Sequence, residues 1–152
     1  MKKLIITLTF TLFVGIAFSQ TVNDYMEVQR AALKTEKKGI VAEAMQLTEE
    51  ESTIFWPLYN EYNEKSYIIN TKVYNLVQKY ADEFETLTSE QAVELWNESM
   101  KIKNESSKLK NTYFKKFLKI MDGKKVVRYF QTENKIADIV NYQIAMEVPL
   151  VE

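Results

Sequence analysis

Between Gly39 and Gly123 this chain carries no glycine and a single proline, Pro57. A stretch so poor in chain breakers leaves little room for the turns an all-β fold needs every ~8–12 residues. What recurs instead is apolar residues at three- and four-residue steps, the period of one helix face. Over Glu49 to about Glu83 the stripe is Phe55, Leu58, Tyr59, Tyr62, Ile69, Val73, Leu76, Val77 and Tyr80, carried on by Phe84. Over Ser89 to Met121 it is Ala92, Leu95, Trp96, Ile102, Leu109, Tyr113, Phe117 and Ile120. A third stretch, Lys124 to about Glu147, uses Val126, Phe130, Ala137, Val140, Ile144 and Val148 before Pro149 ends it. An earlier helix from Asn23 or Asp24 to about Met45 carries Tyr25, Val28, Ala32, Ile40, Val41, Ala44 and Met45, with a polar stretch from Lys34 to Gly39 that frays.

The expectation is an all-α fold of four helices. Two of them, each about 50 Å long at 1.5 Å per residue, are joined by Glu85-Thr86-Leu87-Thr88 into an elongated hairpin. A hairpin that thin cannot hide its whole apolar stripe, so the other helices, a second subunit or a client must cover the rest. Pro57 lies inside the first long helix and removes the hydrogen bond to the Thr53 carbonyl, which predicts a kink there. Asp122-Gly123 supplies the stop of the second, with the glycine in the left-handed conformation.

The N-terminus reads as a secretory signal. Lys2 and Lys3 precede fifteen uncharged residues, Leu4 to Phe18, and then Ala17-Phe18-Ser19 before Gln20. That order of basic head, apolar run and small-x-small site predicts cleavage after Ser19 and a periplasmic domain spanning 20–152. The apolar run falls short of the ~20 residues a membrane helix needs, and no cysteine follows it for a lipid anchor. Cleavage removes two lysines, leaving 18 basic against 21 acidic residues, a net charge of −3.

Cysteine and histidine are both absent. Their absence removes thiol nucleophiles, Ser-His-Asp triads, imidazole acid-base chemistry and nearly every soft transition-metal site. The expectation is a chain without catalytic residues, cofactor or bound metal. Glu90, Glu94 and Glu98 stack on one helix face, but a carboxylate metal site of this kind needs an opposing Glu-x-x-His; they read as a solvated face.

One motif occurs twice. Leu47-Thr48-Glu49-Glu50-Glu51 and Leu87-Thr88-Ser89-Glu90-Gln91 lie 40 residues apart in the sequence. Each is a capping box: Thr48 or Thr88 accepts from the backbone three residues on, and Glu51 or Gln91 reaches back. Leu47 and Leu87 are placed to staple onto the first turn, and Trp56 and Trp96 each follow their threonine by eight residues as core or interface anchors. LTSEQ and LTEEE resemble the LTxxQ signature of the Spy/CpxP family of periplasmic proteins. The run LTEEESTIFWPLYNEY and the ending Val148-Pro149-Leu150-Val151 are similar to the version of that family found in Bacteroidetes. The resemblance implies a curved four-helix cradle, a homodimer, and ATP-independent chaperoning of unfolded envelope proteins. It equally implies a sensor or signalling adaptor docking one folded partner of an extracytoplasmic-function sigma-factor or two-component pathway. Metal-sensing relatives use histidines, which this chain lacks.

Charge is uneven. From Glu43 to Glu98 there are twelve acids and three bases, and from Lys101 to Arg128 ten bases and two acids. The basic stretch interleaves with aromatics. Lys108, Tyr113, Phe114, Lys115, Lys116, Phe117, Lys119, Arg128 and Phe130 therefore form a candidate surface for non-native polypeptides, cations steering and aromatics gripping. The competing reading is a solvated face whose Lys115, Lys116 and Lys119 sit well at a helix C-terminus. That reading leaves Lys124 and Lys125, at a helix start, unexplained. Export leaves no nucleic-acid partner within reach.

Overall fold

The structure, a computed structural model, describes residues 34–151. The signal segment and the first part of the predicted N-terminal helix lie outside them. Four α-helices and one short 3₁₀ turn make up the described chain, with no strand among the described residues. They are α1 (34–45), α2 (Glu49–Glu83), α3 (Ser89–Phe117) and α4 (Gly123–Glu147), with the 3₁₀ turn Phe84–Thr86 joining α2 to α3. The chain divides into two units between Ile40 and Val41. The first is helical over 34–40; the second holds the core.

Both capping boxes form. Thr48 Oγ1 accepts from Glu51 N at 3.3 Å while Thr48 N donates to Glu51 Oε2 at 3.0 Å. Thr88 Oγ1 accepts from Gln91 N at 3.2 Å, and Thr88 N donates to Gln91 Oε1 at 2.9 Å. Each box satisfies donors that a helix start otherwise leaves to water. α2 runs on through Pro57 as one helix. Pro57 and Thr53 are both exposed, and Pro57 has no N–H to offer the Thr53 carbonyl.

Two helix ends differ from expectation. α3 stops at Phe117, not Met121; Leu118 to Met121 form a tightened turn in which Lys119 N donates to Lys116 O at 3.1 Å. Gly123 has no left-handed backbone. It is the first residue of α4, capped by Asp122, whose Oδ1 accepts from Lys124 N at 2.9 Å. The left-handed residue lies elsewhere: Gln46, at φ 44°, closes α1. A glutamine there costs about 1 kcal/mol that glycine would not, and nothing in its side chain announces the position.

The core of the second unit is aromatic and sits where α1 ends, α2 begins, α3 ends and α4 begins. Val41, Met45, Phe55, Tyr59, Tyr62, Tyr113, Phe117, Val126, Tyr129 and Phe130 are all buried there. The rings meet edge-on or tilted, as between Phe55 and Tyr129 at 5.2 Å and Phe117 and Tyr129 at 4.8 Å, the arrangements their quadrupoles favour. Beyond Tyr62 the predicted α2 stripe holds its phase, but Ile69, Val73, Leu76, Val77 and Tyr80 are only half-buried.

Candidate polypeptide-binding surface

The basic-aromatic stretch does not stand on one surface. Tyr113, Phe117 and Phe130 are 1%, 0% and 6% exposed and belong to the core, so a bound chain could not reach them. Phe114 is half-buried against Phe130, at 5.4 Å between rings. The cations Lys108, Lys115, Lys119 and Arg128 are exposed. Aromatic spacing in a helix reports its buried face as readily as a sticky one, and here the buried face wins.

Two of the lysines tie helices together. Lys116 donates to Glu61 Oε1 at 2.9 Å, beside the Tyr113 hydroxyl, which donates to the same oxygen at 2.6 Å. Lys116 Nζ also lies 4.5 Å from the centre of the Tyr113 ring, a cation–π contact. The Tyr113 hydroxyl bond, then Lys116, hold the Glu61 carboxyl down at about 2. Lys125 donates to both carboxylate oxygens of Glu51. That bond, followed by the Thr48 backbone N–H, lowers the Glu51 carboxyl below the usual range. Glu51 thus caps α2 and clamps the start of α4 at once. This explains a cation at a helix start, where the macrodipole disfavours it, and why the first motif ends in Glu while the second ends in Gln.

One buried acid escaped notice in the sequence. Glu133 is 7% exposed, on the inner side of α4. Its charge, added to the larger effect of burial, pushes the Tyr62 hydroxyl up to about 12 and raises those of Tyr59 and Tyr129 as well. The signal for it was position: Glu133 falls one turn from both Phe130 and Ile136 on the α4 stripe.

Apolar exposure is concentrated away from this core. α3 and α4 meet where Phe114 packs on Phe130 and where Lys110 Nζ donates to Asn134 Oδ1 at 2.7 Å. Followed away from that junction, both stripes emerge into solvent. On α3 the continuation is Ser107, Lys103, Met100, Trp96 and Val93; on α4 it is Ala137, Asn141 and Ala145, and all eight are exposed. Meanwhile α4 stays tied to α2, for the Tyr80 hydroxyl donates to Pro149 O at 3.0 Å and Ile144 and Val148 are half-buried. α4 therefore follows α2 and leaves the α3 side uncovered. Trp96 is 63% exposed, against a half-buried Trp56 that packs edge-on against Phe55 and Tyr59. The two tryptophans of the repeated motif have parted roles, one in the core and one on the open side. Tyr142 at 66% and Met146 at 70% add to the exposed apolar area on α4.

Among the described residues no group of three or more acidic side chains could hold a metal ion, and no helix is long and apolar enough to cross a membrane. Glu90, Glu94 and Glu98 are exposed, as a solvated face requires. No family model matches the chain, and neither a curated protein nor a solved structure does.

Proposed function

We propose that this chain is an exported, non-enzymatic binding protein of the Spy/CpxP kind that holds non-native polypeptides in the periplasm without ATP and works as a homodimer. One observation carries the proposal: a closed aromatic core occupies one half of the helical unit, while the other half leaves Trp96, Met100 and Val93 of α3 in water. Exposed apolar area of that kind marks a site for another macromolecule when it is contiguous. Methionine and tryptophan suit a promiscuous one, since thioether chains adapt and a broad ring grips many shapes. The capped helix starts and the ring-packed core keep this surface from collapsing on itself. The Spy/CpxP kinship rests on the two capping motifs, and the periplasmic location rests on residues 1–19.

The test is suppression of aggregation of several unrelated denatured proteins, without nucleotide, at near-stoichiometric ratios. Suppression of all of them, weakened in Trp96→Ala, is the expected result. Suppression of none would discard the proposal and leave the adaptor that docks a single folded partner.

A further inference from the structure

Within α3, residues 97–117 form a repeat of seven residues: NESMKIK, NESSKLK and NTYFKKF. Two positions are the same in all three copies, Asn97, Asn104 and Asn111 at one and Lys101, Lys108 and Lys115 at the other. Where the repeat approaches the core its members differ, Ser99 and Ser106 giving way to the buried Tyr113, and Lys103 and Lys110 to the buried Phe117. Packing sets the positions that vary; the six constant residues are all exposed, and no packing sets them. Steps of four and three residues put the six on one face of α3, turned away from the buried Leu95, Ile102, Tyr113 and Phe117. At 1.5 Å per residue the lysines recur about every 10.5 Å, and the row runs for about 27 Å. Among the described residues none of the six side chains has a hydrogen-bond or ion-pair partner, whereas Lys110 and Lys116 of the same helix donate to Asn134 and Glu61. Acids stand at the margins. Glu94 lies one heptad before Lys101, and Glu98 and Glu105 flank the row on the α2 side. There Glu105 is paired with Lys72 at 2.6 Å, with Lys101 and Lys108 acting on it more weakly. The chain as a whole has a net charge of −1, so the row is no sample of a basic protein.

We infer that this asparagine-lysine row binds a linear anionic polysaccharide in which a charged sugar alternates with a neutral one. The chemistry alternates in the same way on both partners. An ammonium offers charge and donors alone and suits a carboxylate; a carboxamide offers donors and an acceptor and suits the hydroxyls of a neutral sugar. A polysaccharide with one carboxylate per disaccharide also repeats its charge at close to the lysine interval, so a single strand laid along α3 meets successive lysines in register. An acidic helix fits less well, because helix pairing needs an apolar seam and the row holds no apolar residue. An anionic bilayer offers a plane of charge, where α3 presents a line. One exposed lysine holds a carboxylate weakly in water, so affinity comes from several disaccharides engaged at once. The row is separate from the Trp96 side, and the inference does not rest on the polypeptide binding proposed above.

The test is a titration of the purified protein into end-labelled oligosaccharides, read by fluorescence anisotropy. The probes are a hyaluronan decasaccharide, with one carboxylate per disaccharide, and a dextran of equal length without charge. Hyaluronan should bind saturably at low salt and dextran should not. Raising the salt until the Debye length falls below the lysine interval should release the bound strand. Replacing Lys101, Lys108 and Lys115 together by glutamine should weaken binding about tenfold or more, and replacing Asn97, Asn104 and Asn111 together by alanine should weaken it several-fold. A control that removes the same charge off the row, Lys79, Lys124 and Arg128 each to glutamine, should change it by less than about twofold. All these side chains are exposed, and an unchanged melting curve verifies that the variants fold. Equal losses from the two charge-removing variants would reduce the effect to net charge and overturn the inference. So would alginate, with a carboxylate on every sugar, or polyglutamate binding as tightly at equal charge, since neither repeats the alternation. Binding to vesicles of anionic lipid with none to hyaluronan would assign the row to a membrane surface and overturn it as well.

Discussion

A single carboxylate, Glu51, does two jobs, of which its counterpart Gln91 shares only the first. Its Oε2 closes the capping box on the Thr48 N–H, and both oxygens receive the Lys125 ammonium. The two roles separate by substitution. Glu51→Gln keeps an acceptor for Thr48 N but loses the charge, so it should lower the melting temperature, and lower it less than Glu51→Ala does. In a Lys125→Met background the Glu51→Gln change should have almost no further effect, because the two sites share one interaction. Thr88→Ala isolates the cap alone, since no ion pair stands on that box; a loss of about 1 kcal/mol is expected. Thermal melts of the set check all of this. A Glu51→Gln variant as damaging with Lys125 absent as with it present would remove the clamp. The motif was legible in the sequence because a capping box is local, set by four consecutive positions. Lys125 as the partner of Glu51 was not, because it depends on how α4 comes back to α2.

At the scale of the helices, starts and ends were unequally legible. α2 and α3 begin where Thr48 and Thr88 predict, for the cap is chemistry between neighbours. α3 ends earlier than Asp122-Gly123 suggested, and α1 is closed by a glutamine that no sequence rule singles out. The stripe on α2 was read correctly in phase, yet its depth of burial changes along the helix, from 0% at Phe55 to half-buried after Tyr62. Periodicity tells which side of a helix turns inward; it does not tell how many neighbours wait there. The same limit put Tyr113, Phe117 and Phe130 on a surface when they are buried in the core, and it grouped Trp96 with Trp56. These differences predict a gradient of local stability, since few buried contacts mean cheap local opening. Amide hydrogen exchange should be slowest for 55–62 and 113–130 and faster by orders of magnitude for 66–83, 89–100 and the C-terminal half of α4. Uniform protection along α2 would mean that the far half is covered by something, and sedimentation would then show whether it is a second copy.

For the unit as a whole, three ion pairs bridge helices beyond the ring core: Glu51 with Lys125 between α2 and α4, and Glu61 with Lys116 and Glu105 with Lys72 between α2 and α3. All three carboxyls are held below their ordinary value of 4.5, each chiefly by its hydrogen bond to the partner: Lys125 for Glu51, Tyr113 and then Lys116 for Glu61, Lys72 for Glu105. A carboxyl whose pKa is lower in the folded chain binds its proton more readily in the unfolded one. Its contribution is therefore fully present above pH 4.5 and is withdrawn as the pH drops, for Glu61 through the whole span from 4.5 to about 2. The melting temperature should be flat from neutrality to about pH 5 as far as these groups decide it, and should fall steadily below that. Rising positive charge also destabilises the folded state in acid, so the decline alone does not identify its cause. Glu61→Gln does. Glutamine still accepts from the Tyr113 hydroxyl but has no proton to gain, so the variant should melt lower than the natural chain at pH 7 and lose less on going from pH 5 to pH 2.5, the two curves converging. Parallel curves across that range would place the acid sensitivity elsewhere and deny the Glu61 contact its part in holding α2 to α3.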